Sequence, residues 1–258
     1  MKPIQSRDNA FFKQLLKLNE STRQRRNDGL ALLDGIHLLL AYLDSGQQPQ
    51  QVILSQQACA HPEIQALLPR LAQIPLIQLD DTLFNQLSTV KTATGVLTLI
   101  RRPTPSARIG RFIALLDDIQ DPGNLGSIIR SAAAAGCDAL YLSAGCADPW
   151  SPKVLRAAMG GHFALDLYEQ QNLLHIASRF EGAVLAATLD ARQSLYECDL
   201  RQNIALLLGN EGAGIQPQLQ RQANLCFLIP MPGKVESLNV AAAAAICLFE
   251  AVRQRQLS

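Results

Sequence analysis

Polar side chains that could take part in chemistry fall in three short stretches, each next to an apolar run. The first stretch is LDDIQDPGNLGSIIR (Leu116–Arg130), in which Pro122 and Gly123 predict a turn. Asn124 would be a favourable N-cap for a helix that starts there. Arg130 lies six residues further on and would project from the side of that helix. The pattern is equally typical of a plain strand–turn–helix connection with an incidental surface arginine.

The second stretch is a glycine-rich loop, GNEGAG (Gly209–Gly214), which follows the run IALLL. Three glycines in six residues indicate a backbone that adopts unusual dihedral angles or lies against a flat ligand. The order is G-x-x-G-x-G and not the dinucleotide-binding G-x-G-x-x-G, and no Gly-Lys-Ser/Thr follows. A nicotinamide, flavin or P-loop nucleotide site is therefore disfavoured. Taken alone, Glu211 is compatible with a solvated loop carboxylate.

The third stretch is PMPGKVESLN (Pro230–Asn239), after the run LCFLI. Its prolines stiffen the loop, and Ser237 predicts an N-cap for a helix that begins at Leu238. Asn239 would then lie in the first helical turn, where a better helix former is expected. A functional role for Asn239 would explain that choice.

Buried strands and alternating helices must bring the three stretches together. Beyond residue 111 the pattern predicts strands at Phe112–Leu116, Ala139–Leu142, Ala183–Ala187, Ile204–Leu208 and Leu225–Ile229, and helices at Asn124–Gly136, Pro152–Gly160, Gln170–Phe180 and Leu238–Gln254. Strands without polar alternation are buried on both faces, so we expect a parallel sheet with helices on each side. Ligands of such sheets bind at the carboxyl ends of the strands, where all three stretches lie.

The first hundred residues predict a separate, smaller α/β domain. Helices are expected at Ala10–Leu18, Gly35–Asp44 and Pro62–Leu68, and strands at Leu30–Leu33, Gln51–Leu54, Leu76–Leu79 and Gly95–Ile100. The segment RRPTPSARIGR has the composition of a linker. We therefore expect one domain at residues 1–100, a linker at 101–111 and a second domain at 112–258.

Charge is unevenly distributed, although the net formal charge is only +1. Residues 1–110 carry 12 Lys and Arg against 8 Asp and Glu, whereas residues 111–258 carry 11 against 14. Most of the positive excess lies in the first 30 residues, at Lys2, Arg7, Lys13, Lys17, Arg23, Arg25 and Arg26. A basic segment suits a polyanion such as nucleic acid, and it is equally compatible with a solvated helix face.

Composition excludes several classes of protein. A hydrophobic content of 48% excludes disorder, and no apolar run approaches the roughly 20 residues that cross a bilayer. The first residues lack the apolar stretch of a secretory signal, so a soluble, cytoplasmic protein without a membrane partner is expected. Six dispersed cysteines without a C-x-x-C pair indicate reduced, buried thiols and neither disulfides nor a zinc site.

Together, the three stretches resemble the motifs of the SpoU/TrmH family of RNA ribose 2′-O-methyltransferases, in the SPOUT superfamily. The matching strings are DPGNLGSIIR, LLLGNEGAG and IPMPGKVESLNVA, in the family's order. SPKVLRAAMGG (Ser151–Gly161) is similar to a further segment of the family, with Ala158 where a serine is common. Near the N-terminus, LLDGIHLL and TATGVL resemble the family's ribosomal-protein-like substrate-binding domain more loosely.

The resemblance implies a fold and a methyl donor. The fold is α/β, with a C-terminal parallel-sheet SPOUT domain that contains a deep trefoil knot and a small N-terminal substrate-binding domain. The donor is S-adenosyl-L-methionine, with no metal, and the implied contacts are Gly209, Ile229, Met231, Leu238 and Asn239. The family is generally homodimeric, which implies a second copy of this chain as a partner.

The implied reaction is methylation of a ribose 2′-hydroxyl in RNA, with Arg130, Asn124, Glu211, Ser237 and Asn239 as catalytic residues. Ribosomal RNA is the expected substrate, because an N-terminal extension domain is more typical of enzymes that act on it. A transfer RNA 2′-O-methyltransferase and a non-catalytic RNA-binding protein on the same fold are the alternatives. Neutralising an arginine near neutral pH costs roughly 7 kcal/mol, so we expect Arg130 to clamp RNA and stabilise the developing alkoxide.

Overall fold

The chain forms two compact units in a computed structural model that describes residues 3–89, 94–106 and 108–256. The first unit comprises the described residues of Met1–Pro103 together with Trp150–Phe163. The second comprises those of Thr104–Pro149 and Ala164–Ser258. The functional division at residues 1–100, 101–111 and 112–258 stays a prediction, and the sequence did not predict that residues 150–163 join the first unit.

The first unit is built on a mixed five-stranded sheet with the order β1-β4-β3-β5-β2. Its strands are β1 (Pro3–Ile4), β2 (Leu30–Asp34), β3 (Gln51–Ser55), β4 (Leu76–Leu79) and β5 (Val96–Arg101). Its first five helices are α1 (Ala10–Glu20), α2 (Thr22–Asp28), α3 (Ile36–Asp44), α4 (Pro62–Leu67) and α5 (Asp81–Leu87). β5 is antiparallel to β2 and β3, whereas β1 and β3 are parallel to β4. The sequence did not predict β1, α2 or α5.

The second unit contains a seven-stranded sheet in which every pairing is parallel, as predicted. The strands are β6 (Phe112–Leu116), β7 (Ala139–Leu142), β8 (Asp166–Tyr168), β9 (Ala183–Ala187), β10 (Gln193–Ser194), β11 (Ile204–Leu208) and β12 (Leu225–Leu228), in the order β10-β12-β9-β11-β6-β7-β8. The remaining helices are α6 (Pro122–Ala134), α7 (Pro152–Ala158), α8 (Leu173–Arg179), α9 (Pro217–Gln222) and α10 (Val240–Gln256), of which α7 belongs to the first unit.

Strand register aligns the loops that carry the predicted site. β6 and β11 are neighbours and are buried along their whole length. Leu208 is the partner of Leu116, so the chain leaves both strands at the same level. β9 lies between β11 and β12, so the loops after β6, β11, β9 and β12 emerge from one edge of the sheet. The trefoil knot implied by the resemblance stays a prediction.

The segment that joins the first unit is held by close packing. Val154, Leu155 and Ala158 of α7 are buried, and α7 packs against β2. The Phe163 ring packs edge-on against Tyr42, with 5.0 Å between ring centroids. These contacts make residues 150–163 part of the first unit's core.

Candidate active site

The glycine-rich loop Gly209–Gly214 closes on itself at the carboxyl end of β11. The backbones of Asn210 and Gly214 exchange two hydrogen bonds of 3.0 and 2.9 Å. The side-chain oxygen of Asn210 accepts the amides of Gly212 and Ala213 at 2.9 and 3.0 Å. A Cβ on Gly209 would overlap the backbone of Gly214, so only glycine fits at that position. The loop is therefore tightly constrained.

Glu211 is the hub of a hydrogen-bond cluster that joins all three stretches. Its Oε1 accepts the side-chain amide of Asn124 at 2.8 Å and that of Asn239 at 2.6 Å. The same oxygen accepts the backbone N–H of Val240 at 3.2 Å. Asn239 Nδ2 also donates to Asn124 Oδ1 at 2.9 Å. Three of the predicted catalytic residues thus hold one another in place.

Both predicted helix caps at the site are wrong. α6 starts at Pro122 and is capped by Asp121, whose carboxyl accepts the Asn124 N–H at 2.8 Å. Proline suits a first helical turn because its missing N–H would have no helical partner there. α10 starts at Val240, and its cap is Asn239, whose Oδ1 accepts the amides of Ala241 and Ala242 at 3.0 and 3.4 Å. Capping therefore explains the asparagine at position 239.

A cavity of about 360 Å³ lies beside this cluster. Its walls include the predicted cofactor residues Gly209, Ile229, Met231 and Leu238, and the predicted catalytic residues Glu211 and Ser237. As far as the described residues show, the lining does not include Asn124, Arg130 or Asn239. The structure therefore gathers most of the predicted residues at one cavity and leaves these three outside its wall.

Arg130 differs from the other predicted catalytic residues because it is not held by the cluster. It is exposed on α6, and no hydrogen bond or ion pair joins it to any residue within 3–89, 94–106 or 108–256. Its guanidinium can therefore meet a ligand.

Two groups of site residues were not predicted from the sequence. Thr188, Leu189 and Asp190 follow β9 and line the cavity. Asp117 and Asp118 follow β6: the Asp117 carboxyl accepts the N–H of Gln216, just beyond the glycine-rich loop, and the Asp118 backbone oxygen accepts the side-chain amide of Asn210 within that loop. The signal for the first group was its position after a buried strand, where ligand loops are expected.

Within the described part of the chain, no group of three or more His, Cys, Asp or Glu could hold a metal ion. The helices of the same part include none that is long and apolar enough to cross a membrane. Of the six cysteines, Cys137, Cys198 and Cys247 are buried and the others are half-buried. Burial raises the pKa of Cys137 and of Cys247 to about 12, which makes both poor nucleophiles.

Comparison with known proteins gives the same family as the three sequence motifs. Residues 111–249 match the SpoU rRNA Methylase family, and residues 9–98 match an MRM3-like substrate binding domain. An uncharacterized tRNA/rRNA methyltransferase of Synechocystis sp. is 36% identical over 98% of this chain and 94% of its own. The 23S rRNA (guanosine(2553)-2′-O)-methyltransferase RlmP of Bacillus subtilis is 30% identical over 96% of this chain and 98% of its own.

Solved structures are similar over nearly the whole chain. The SpoU methyltransferase AviRb of Streptomyces viridochromogenes, in complex with the cofactor AdoMet, superimposes with a TM-score of 0.87 and 27% identity. The match covers 96% of this chain and 98% of AviRb. Together with the three motifs that meet at one sheet edge, these matches show that the chain belongs to the SpoU rRNA methylase family.

Proposed function

We propose that this protein transfers a methyl group from S-adenosyl-L-methionine to a ribose 2′-hydroxyl of ribosomal RNA. The observation that carries the proposal is the Glu211 cluster, which joins Asn124 and Asn239 beside the cavity. The B. subtilis relative supports ribose methylation of ribosomal RNA by its name, and AviRb supports the methyl donor by its bound AdoMet.

The cavity fits the methyl donor. Its volume falls within the range of small-molecule sites, roughly 300–1,000 Å³. Ile229, Met231 and Leu238 give it an apolar wall for an adenine ring, and the backbone of Gly209–Gly214 offers polar groups close to the cavity. Asn239 would act on the donor only indirectly, through Glu211. We place no metal in the reaction.

The three clustered residues serve as a frame. When bound, S-adenosyl-L-methionine supplies a methyl group on a positively charged sulfur. Glu211 Oε1 already accepts three hydrogen bonds, so this oxygen is not available to remove a proton. Asn239 uses both ends of its amide, one on Glu211 and Asn124 and one on the start of α10. These side chains keep the loops in register for the reaction.

Arg130 acts on the RNA in this proposal. Its guanidinium stays protonated in proteins and can bind a phosphate through two parallel hydrogen bonds. A fixed positive charge beside the 2′-oxygen stabilises the negative charge that develops there as the hydroxyl proton passes to solvent, and this oxygen then bonds to the methyl carbon as the bond from that carbon to sulfur breaks.

Arg130→Lys keeps the positive charge but removes the planar guanidinium group, the fork that can make two parallel hydrogen bonds. We expect the methyl-transfer rate to fall about a hundredfold, the size typical of losing a transition-state donor. The Kd for S-adenosyl-L-methionine should stay within about twofold, because Arg130 does not line the cavity. A single-turnover rate within a few-fold of the wild type would contradict the role of the fork.

Four cations of the first unit are proposed to bind RNA. Of the basic residues among 3–30, Arg25 is buried, 3% exposed, and donates to the backbone oxygens of Leu18 and Asn19. Lys13 pairs with Asp8 at 2.7 Å. The exposed ones without such a partner in the described part of the chain are Arg7, Lys17, Arg23 and Arg26. These four side chains carry the proposed binding of a polyanion, and Lys2, also part of the basic segment, lies outside the described residues.

Arg23 and Arg26 give a direct test. Replacing both with alanine should lower RNA affinity and make the slope of log affinity against log salt shallower, by about one for each phosphate that the variant no longer neutralises. Arg201→Ala is the control, because this cation is paired with Asp199 in the second unit. An unchanged slope would contradict RNA binding by these residues. Deleting residues 1–100 is a less clean test, since it would expose the buried side of α7.

Calorimetry with S-adenosyl-L-methionine distinguishes the methyltransferase from a non-catalytic RNA-binding protein. The methyltransferase must bind it, and a folded chain that does not bind contradicts the proposal. Labelled methyl transfer to ribosomal RNA and to transfer RNA, each prepared without its modifications, then tests the substrate class. We expect ribosomal RNA to be methylated and transfer RNA to remain unlabelled.

A homodimer is also proposed, since Phe249 on α10 is 48% exposed and would be covered by a second copy. Sedimentation should give twice the chain mass, and Phe249→Asp should shift the protein to monomers. The cytoplasmic location expected from the sequence stays a prediction.

A further inference from the structure

Asp117 places a carboxyl group in the interior directly after β6. The residue is 1% exposed. Its Oδ2 accepts the backbone N–H of Gln216 at 2.9 Å, and its Oδ1 accepts the Gln216 side-chain amide at 3.1 Å. Burying a carboxyl is unfavourable unless donors satisfy it, and here both oxygens are satisfied by one residue. Asp117 therefore binds the segment that leaves the glycine-rich loop.

Asp118 binds the other end of the same loop. Its backbone oxygen accepts the Asn210 side-chain amide at 2.9 Å. Asp118 has a φ of 59°, a conformation that costs energy in a residue with a side chain. A Cβ on Gly145 would overlap the Asp118 carboxyl, so glycine makes room for this arrangement. The loop is thus tied at both ends to two consecutive residues.

The same connection also carries Asn124. Asp121, three residues after Asp118, caps α6 by accepting the Asn124 N–H. Asn124 in turn meets Glu211, which lies between the two tied ends of the loop. Residues 117–124 therefore contact both sides of the loop that carries Glu211 and also form the start of the helix that carries Asn124.

We propose that Asp117 is a positioning residue of the methyltransferase site. By binding Gln216, it fixes the loop so that Glu211 meets Asn124 and the loop closes the cavity wall. Asp117 is not part of the cavity lining within the described residues, and the inference rests on the proposed function for its catalytic consequence.

The chain contains a matched control at the opposite edge of the sheet. Asp138 precedes β7, and its Oδ2 accepts the backbone N–H groups of Arg111 and Phe112 at 2.6 and 2.8 Å. Like Asp117, it is an aspartate whose carboxyl accepts a backbone N–H of a neighbouring segment, although Asp138 is exposed and Asp117 is buried. It is not part of the cavity lining within the described residues.

The test compares Asp117→Ala with Asp138→Ala in the full chain. Asp117→Ala should weaken S-adenosyl-L-methionine binding about tenfold and lower kcat as well, because the loop loses its fixed position. Asp117→Asn keeps one acceptor oxygen for the Gln216 N–H and should recover most of the loss. Asp138→Ala should leave both the Kd and kcat within about twofold of the wild type.

Amide hydrogen exchange measures how firmly the glycine-rich loop is held in place, and it requires neither methyl donor nor RNA. In Asp117→Ala the amides of residues 212–216 should exchange at least about tenfold faster, and in Asp138→Ala they should not. This result would hold even if the wild type failed to bind S-adenosyl-L-methionine, which would overturn the proposed function alone. Unchanged exchange in Asp117→Ala, or equal loss of kcat in Asp138→Ala, would overturn the positioning role. If Asp117→Ala does not fold, Gln216→Ala gives the same comparison with a smaller expected change.

Discussion

At both edges of the parallel sheet, polar side chains form hydrogen bonds that hold loops in place, but the two edges differ in what surrounds those loops. At the amino edge, Asp138 accepts the N–H of Phe112, and Asn224 accepts that of Val184 at 2.7 Å. At the carboxyl edge, Asp117 and Asn210 make similar contacts, with a cavity and the Glu211 cluster beside them. Polar side chains that close loops are thus common to both edges. The carboxyl edge, which we propose to be functional, differs in that Asn124, Glu211 and Asn239, from three separate stretches, meet there in a cluster beside a cavity.

The largest effect is expected for Gly209→Ala at the carboxyl edge. The new Cβ would overlap the backbone of Gly214, so the loop would have to move out of the cavity wall. We expect S-adenosyl-L-methionine to bind about a hundredfold more weakly by calorimetry, roughly 2.7 kcal/mol. Gly136→Ala before β7 is the amino-edge control, with a φ of 70° but open space around it. Equal affinity in both variants would contradict the comparison.

A smaller effect is expected for Glu211→Gln. The substitution keeps the shape but leaves a neutral oxygen for Asn124, Asn239 and Val240, and neutral hydrogen bonds are weaker than charge-assisted ones. Methyl transfer measured at saturating S-adenosyl-L-methionine should slow about tenfold, while the unfolding midpoint changes little. Wild-type turnover would show that the cluster is not needed for the reaction.

Asn224→Ala tests whether a loop contact at the amino edge affects stability alone. It removes the acceptor of the Val184 N–H, and we expect a loss of about 1 kcal/mol in the free energy of unfolding. Urea denaturation measures that loss. Methyl transfer per folded molecule should remain at the wild-type level, and a parallel fall in turnover would mean that the two edges are coupled.

The smallest effect concerns the far end of α10, whose first turn lies at the carboxyl edge. The hydrogen bond from Arg253 lowers the pKa of Glu250, although burial opposes the shift. Because the pKa is lower in the folded state, the stabilisation is complete above the ordinary value of 4.5 and is lost as the pH falls through the folded value. Arg253 is 58% exposed, so the contribution is below about 1 kcal/mol. Thermal unfolding of Glu250→Gln should differ from the wild type at pH 7, and the difference should shrink as the pH is lowered below 4.5.

The buried strands could be predicted from the sequence almost residue by residue. Phe112–Leu116, Ala183–Ala187 and Ile204–Leu208 have the predicted bounds, because continuous apolar runs are read directly as strands buried on both faces. β8 and β10 were missed, since three and two residues are too short to show a period. The substrate-binding unit was predicted as α/β, but antiparallel β5 gives it a mixed sheet.

The site was predictable in its residues more than in their contacts. The pair Asp121-Pro122 is typical of a helix start, whereas the sequence analysis predicted Asn124 as the N-cap of α6. That Glu211 binds Asn124 and Asn239 depends on residues 87 and 28 positions away, which no local pattern encodes. The role of Asp117 could not be predicted from the sequence for the same reason, because its partner Gln216 lies 99 positions further on.

Mapping 2′-O-methyl groups in total RNA from cells with and without the gene tests directly whether this protein methylates ribosomal RNA. We expect one or more ribose methyl groups to disappear from ribosomal RNA in the absence of the gene, and wild-type protein to restore them whereas the Gly209→Ala variant does not. Loss confined to transfer RNA would contradict the proposed substrate. An unchanged map of ribose methylation would contradict the proposed activity.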